Sequence, residues 1–108
     1  MIDALVQGKL FGSPRQSTGK AGNLYVTARA KVWTNNGDLL MCDVVAFEDS
    51  VQTALLALTD GDSVALSGHL VPKVVQTPSG EYRPGMNMVA HGLLSTYQVR
   101  RKRHALEE

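Results

Sequence analysis

The sequence predicts an all-β domain: a five-stranded Greek-key barrel with one short helix between its third and fourth strands. Three observations carry this. A run from Asn23 to Trp33 alternates apolar and polar residues with a period of two. Apolar runs on either side of it are separated by segments rich in Gly, Pro, Asn and Ser. One stretch, after Phe47, switches to helical spacing. A length of 108 residues suits one domain, because two halves would each be too small to bury a sufficient core unaided.

The first strand is expected over residues 4–11, Ala-Leu-Val-Gln-Gly-Lys-Leu-Phe, with Gly8 marking a bulge or bend. Residues 12–22, rich in Gly, Ser, Pro and Thr, are predicted as a loop. In the second strand Leu24, Val26, Ala28, Ala30 and Val32 form one parity, and Tyr25, Thr27, Arg29, Lys31 and Trp33 the other. One face is therefore buried and one exposed. Ala28 and Ala30 are small, as crowding inside a tight barrel requires. Asn35-Asn36-Gly37-Asp38 is a turn that pairs 24–33 with a third strand, 39–47, whose one charge is Asp43. Val51, Ala54, Leu55 and Leu58 then fall at i, i+3, i+4, i+7, with Asp49 or Ser50 as the N-cap and Asp60-Gly61-Asp62 as the stop. A fourth strand spans about 63–75, with Pro72 pointing to an edge or bend. A turn at 77–80 leads to the last strand at about 86–97. The order β-β-β-α-β-β is that of the OB-fold. The barrel domain is expected over residues 1–99, followed by a detached basic tail over 100–108.

At 44% apolar and 19% charged residues, the chain reads as globular rather than disordered. No apolar run approaches the ~20 residues that span a bilayer, so no membrane association is expected. The start has no basic segment followed by a long apolar one, so no secretory signal is read there. Cys42 is the only cysteine, which rules out an internal disulfide and fits a cytoplasmic location. Residues 1–99 hold seven Lys/Arg against eight Asp/Glu, whereas Arg100-Arg101-Lys102-Arg103 adds four positive charges at once. Overall charge therefore does not announce a polyanion partner; placement of the basic groups must.

The exposed parity of the second strand sets Arg29 and Lys31 between the flat rings of Tyr25 and Trp33. Every nucleobase has a π-face, so aromatic stacking tolerates any sequence while basic groups follow the phosphates. The next strand adds Met41 and Phe47 at one parity, with Asp43 and Val45 between them. The same face could equally be an exposed β-surface or a subunit contact. Arg15 and Lys20 in the first long loop, with Lys73, Tyr82 and Arg83 around the second, put basic groups at both rims of such a face. The basic tail is either a further phosphate contact or a solvated end. Enzyme signals are absent. Gly12 to Lys20 lacks the P-loop glycine, which Pro14 replaces, and Ala21 stands where Ser or Thr is needed. His69, His91, His104 and Cys42 lack metal-ligand spacing, and no cofactor is expected.

Ala4-Leu5-Val6-Gln7-Gly8-Lys9-Leu10, Met41-Cys42-Asp43-Val44-Val45-Ala46-Phe47 and Asp62-Ser63-Val64-Ala65-Leu66-Ser67-Gly68-His69-Leu70 resemble, in order and spacing, three strands of the bacterial single-stranded DNA-binding proteins and of the related primosomal replication protein N. The resemblance covers about residues 2–97. It implies a homodimer or homotetramer that binds single-stranded DNA without sequence preference in replication, restart or recombination. It places Trp33 and Phe47 at stacking positions. Met41 and Val75 stand where the full-length proteins carry aromatics, which implies weaker stacking and more reliance on charge. A basic run follows the barrel here instead of a long linker with an acidic tip, so recruitment of replication partners by such a tip is not expected. The rival expectation is a protein-interaction module of the primosome, presenting an apolar surface around Met41, Val45 and Phe47.

Overall fold

A computed structural model of the protein describes residues 1–95. The basic run 100–103, and the parts of the predicted last strand and barrel domain beyond 95, lie outside the described residues.

The elements are β1 (Ile2–Leu10), β2 (Arg15–Thr18), β3 (Leu24–Trp33), β4 (Leu39–Ala46), α1 (Asp49–Leu56), β5 (Ser63–Gln76) and β6 (Tyr82–Ser95). The sheet runs β1-β5-β6-β4-β3-β2, and β1 also pairs with β3 through Lys9↔Lys31 and Leu10↔Ala30. The five strands β1, β3, β4, β5 and β6 thus close into a ring, with α1 between the third and fourth of them. The β4–β6 pairing is parallel and the others are antiparallel. This is the expected OB barrel.

The ring fills with the inward parity of its strands. Val26, Cys42, Ala46, Val64, Leu66 and Met88 are almost wholly buried, and α1 adds Val51 and Leu55. Gln52 is buried beside them, its Nε2 donating to the carbonyl oxygens of Leu24 (2.9 Å) and Phe47 (2.8 Å). These bonds tie the helix to the start of β3 and the end of β4. Glycines permit the tightest crossings. A Cβ on Gly8 would run into the Lys31 carbonyl, so Gly8 is what lets β1 close against β3. No helix among the described residues is long and apolar enough to cross a membrane.

Several expectations are corrected. The register of β1 passes through Gly8 without a bulge. The sheet's bulge lies instead where Ser67 faces Gly92 and Gly68 faces Ala90, leaving His91 as the extra residue. The segment 12–22 is not all loop, because β2 pairs with β3 from Arg15↔Thr27 to Thr18↔Leu24. The N-cap of α1 is Glu48, with extended backbone and no side-chain cap bond, so neither Asp49 nor Ser50 caps it. Asp49 lies in the first turn, at the positive end of the helix. The last strand begins at Tyr82, not near 86, and its outer part runs with Val74–Gln76 beyond the final β4 pairing, Met41↔Gly85.

Candidate nucleic-acid interface

The turn Thr34–Asp38 fixes which residues of β3 and β4 stand side by side. Thr34 N–H donates to the Asp38 carbonyl (2.9 Å), and Gly37 adopts φ 86°. Trp33 therefore faces Leu39, Lys31 faces Met41, Arg29 faces Asp43 and Thr27 faces Val45. On the outer surface this assembles one continuous face. Tyr25 to Trp33 is eight steps along the strand, roughly 26 Å at ~3.3 Å per residue, which accommodates several nucleotides.

Aromatic groups occupy both ends of the face. Trp33 is 49% exposed and Phe47 is 52% exposed, so both present open ring surface. Tyr25 packs against Phe47 with ring centroids 6.3 Å apart and a 50° tilt. Between the ends lies Phe11, which reading of the sequence did not single out. Its N–H donates to the Arg29 carbonyl (2.9 Å), which fixes it beside β3. Lys31 Nζ sits 4.6 Å from its ring centroid and Arg29 Cζ 5.8 Å. The signal was available: the parity of β1 that buries Val6 and Leu10 turns the next residue, Phe11, outward.

The predicted cations do not all meet. Arg15 lies opposite Thr27 on β2 and extends the face by one strand. Arg29 and Lys73 converge on Asp43 from either side: Arg29 Nε donates to Asp43 Oδ1 (3.1 Å) and Lys73 Nζ to Oδ2. Partial burial pushes the Asp43 carboxyl up, but Lys73 and then Arg29 outweigh it and hold it below the ordinary carboxylate value. Its inward neighbour Cys42 is pushed up to about 11, first by burial and then by the Asp43 charge, with Lys73 acting the other way. Lys20 is exposed at the tip of the β2–β3 hairpin, in the Gly19–Asn23 turn, beyond the last β2–β3 pair. Tyr82 and Arg83 are exposed on the β5–β6 arm, and Arg83 Nη2 lies 3.9 Å from Glu81.

Two hollows mark this surface. One of 520 Å³ is bordered by Thr27, Arg29, Asp43, His69 and Asn87. The other, of 270 Å³ beside the arm, is bordered by Arg29, Met41, Asp43, Lys73, Val75 and Arg83. At the first, His69 and His91 meet edge to face with ring centroids 4.6 Å apart. His91 Nδ1 lies 2.8 Å from Glu48 Oε1. His69 Nδ1 lies 2.9 Å from Asp3 Oδ1, close enough for an ion pair but without hydrogen-bond alignment. The arrangement offers stacking surfaces, cations and a shallow groove.

No family model and no curated protein sequence matches this chain. Solved structures do match. The small single-stranded DNA-binding protein from Streptomyces coelicolor superimposes with a TM-score of 0.67 at 20% identity, over 87% of this chain and 93% of that one. The mitochondrial single-stranded DNA-binding protein of S. cerevisiae gives 0.67 at 12% identity, over 88% and 94%. A deletion mutant of the single-stranded DNA-binding protein from Thermus aquaticus gives 0.65 at 18% identity, over 88% of this chain and 40% of that one. The chain has the fold of these proteins. At such identities the likeness establishes architecture, and the site must be argued from its own residues.

Proposed function

We propose that this protein binds single-stranded DNA without sequence preference, as a non-enzymatic component of DNA replication, restart or recombination. The observation that carries the reading is the outer face of β3 and β4, where the exposed rings of Trp33, Phe11 and Phe47 and the half-buried ring of Tyr25 alternate with Arg15, Arg29 and Lys31. Bases stack on the rings and phosphates follow the cations. Lys20, Lys73, Tyr82 and Arg83 border the same path. The fold shared with proteins that bind single-stranded DNA supports it.

The rival interaction-module reading is less well supported. Its apolar surface around Met41, Val45 and Phe47 is interrupted by the charged group of Asp43, Arg29 and Lys73. Self-association as a homodimer or homotetramer belongs to the proposal. In its support, among the described residues Ile2 to Gly8 of β1 pair only with β5, leaving the other edge unbonded there beside the exposed Ile2 and Leu5. Replication-restart proteins are the proposed partners of the same assembly, and the cytoplasm is its proposed compartment.

The deciding experiment is a titration of fluorescent oligo-dT against a duplex of equal length at two salt concentrations. The oligonucleotide should bind more tightly, with log affinity falling linearly with log salt. Equal binding to the duplex would overturn the single-strand reading.

A further inference from the structure

Asp43 is the one acidic residue of β2, β3 and β4, and it sits at the centre of the proposed path. It holds Arg29 and Lys73 at the same time, where a phosphate would otherwise sit between them. A phosphate arriving at this point must displace the carboxylate from both cations and then lie beside it. Like charges at that separation repel. A nucleobase meets no such obstacle, being uncharged and offering N–H donors that a carboxylate can accept. The remaining cations on the path, Arg15 and Lys31, lie along β2 and β3 and stay available to phosphates.

We propose that Asp43 is a selectivity residue that makes the centre of this face receive bases rather than phosphates, and so favours single-stranded DNA over duplex. The inference rests on the single-strand reading above. A single strand can turn its bases toward Asp43 and its phosphates toward Arg15 and Lys31. A duplex keeps its bases stacked inside, and its outermost groups, the rows of phosphate, meet the centre of the face first. Asp43 therefore costs the duplex more than the single strand.

The test compares the full chain with Asp43→Asn and Asp43→Glu variants, each titrated with fluorescent oligo-dT and with duplex of equal length. Thermal melting checks that each variant is folded. Wild-type protein that fails to bind oligo-dT overturns the proposed function itself, before any variant is considered. Given that binding, Asp43→Asn should raise duplex affinity at low salt about fivefold or more, roughly the factor for one unit charge at contact distance in water. Its oligo-dT affinity should change by a smaller factor, because the single strand turns uncharged bases toward this point. Asp43→Glu keeps the charge and should keep the wild-type ratio. An equal shift for both ligands in Asp43→Asn, or loss of the ratio in Asp43→Glu, overturns the inference. Should Asp43→Asn fail to fold, Thr27→Asp places a second carboxylate on the exposed position beside Arg29. It should then weaken duplex binding more than oligo-dT binding, and equal losses would overturn the inference.

Discussion

The two faces of the β3–β4 hairpin are built from the same strands but obey different constraints. Inside, Val26, Ala28, Ala30, Cys42, Val44 and Ala46 are small and buried, because a five-stranded ring has little room on its axis. Outside, Tyr25, Arg29, Lys31, Trp33 and Phe47 are large and hold charge or open ring surface. Volume limits the first set; chemistry selects the second. Substitution inside should therefore be read in stability, and substitution outside in binding.

The largest effect should come from the core that the inner face meets. Leu55→Ala removes a fully buried side chain and should cost about 2–5 kcal/mol in urea denaturation. Affinity for oligo-dT, measured where the variant is still folded, should not change; a matching loss would mean that the two faces are not separable. Next comes the outer face. Trp33→Ala should weaken oligo-dT binding by about 1–3 kcal/mol without lowering the melting temperature, and unchanged affinity at low salt would remove Trp33 from the site. Phe11→Ala should weaken it too, and by less, since Lys31 already occupies one side of the ring.

Smaller effects separate the faces by pH. Asp43 is held below its ordinary value in the folded protein. Its pairs therefore stabilise the fold above that value, and the contribution is lost as pH falls below about 3.8 and through the folded pKa. Melting scans from pH 5 downward should show wild type losing stability relative to Asp43→Asn. Cys42 behaves in the opposite sense. Its folded pKa of about 11 lies above the ordinary thiol value of 9.0, so its contribution is complete below pH 9 and is lost as pH rises from 9 through 11. At pH 8 a thiol reagent should label Cys42 only as fast as the barrel opens; immediate labelling would mean that the inner face is not closed. The smallest change concerns the basic run. Cutting the chain after Val99 should flatten the salt slope of oligo-dT binding, and an identical slope would show that the run touches no phosphate.

The barrel was legible in the sequence because its inner face repeats with period two from Val26 to Val32, and because Val51, Ala54, Leu55 and Leu58 break that period once. β2 was not legible. Arg15-Gln16-Ser17-Thr18 is polar on both faces, so backbone pairing with β3 makes it a strand, not burial. The start of β6 was hidden by Pro84 and Gly85, which read as turn residues and are here carried on a hairpin arm. At the site, the alternating face was visible but its partners were not. Asp43 stood out as the lone charge of its strand. Its hold on Arg29 follows once the 34–38 turn sets the β3–β4 register, whereas its hold on Lys73, 30 residues away in sequence, needs the β4–β6–β5 pairings.

Those long-range pairings also govern how the molecule comes into being. β1 finds one partner in β3 and the other in β5, while β4 pairs in parallel with β6, the last strand described. No contiguous piece of the chain can close the ring. A ribosome that has released only β1 to β4 has released a sheet whose apolar face is still wet, and it stays so until β6 arrives. Refolding from urea should then be a single, comparatively slow step, on the order of milliseconds to seconds as for other barrels with distant pairings. Stopped-flow circular dichroism would detect it, and a fast phase that forms native sheet before that step would show that part of the ring assembles alone.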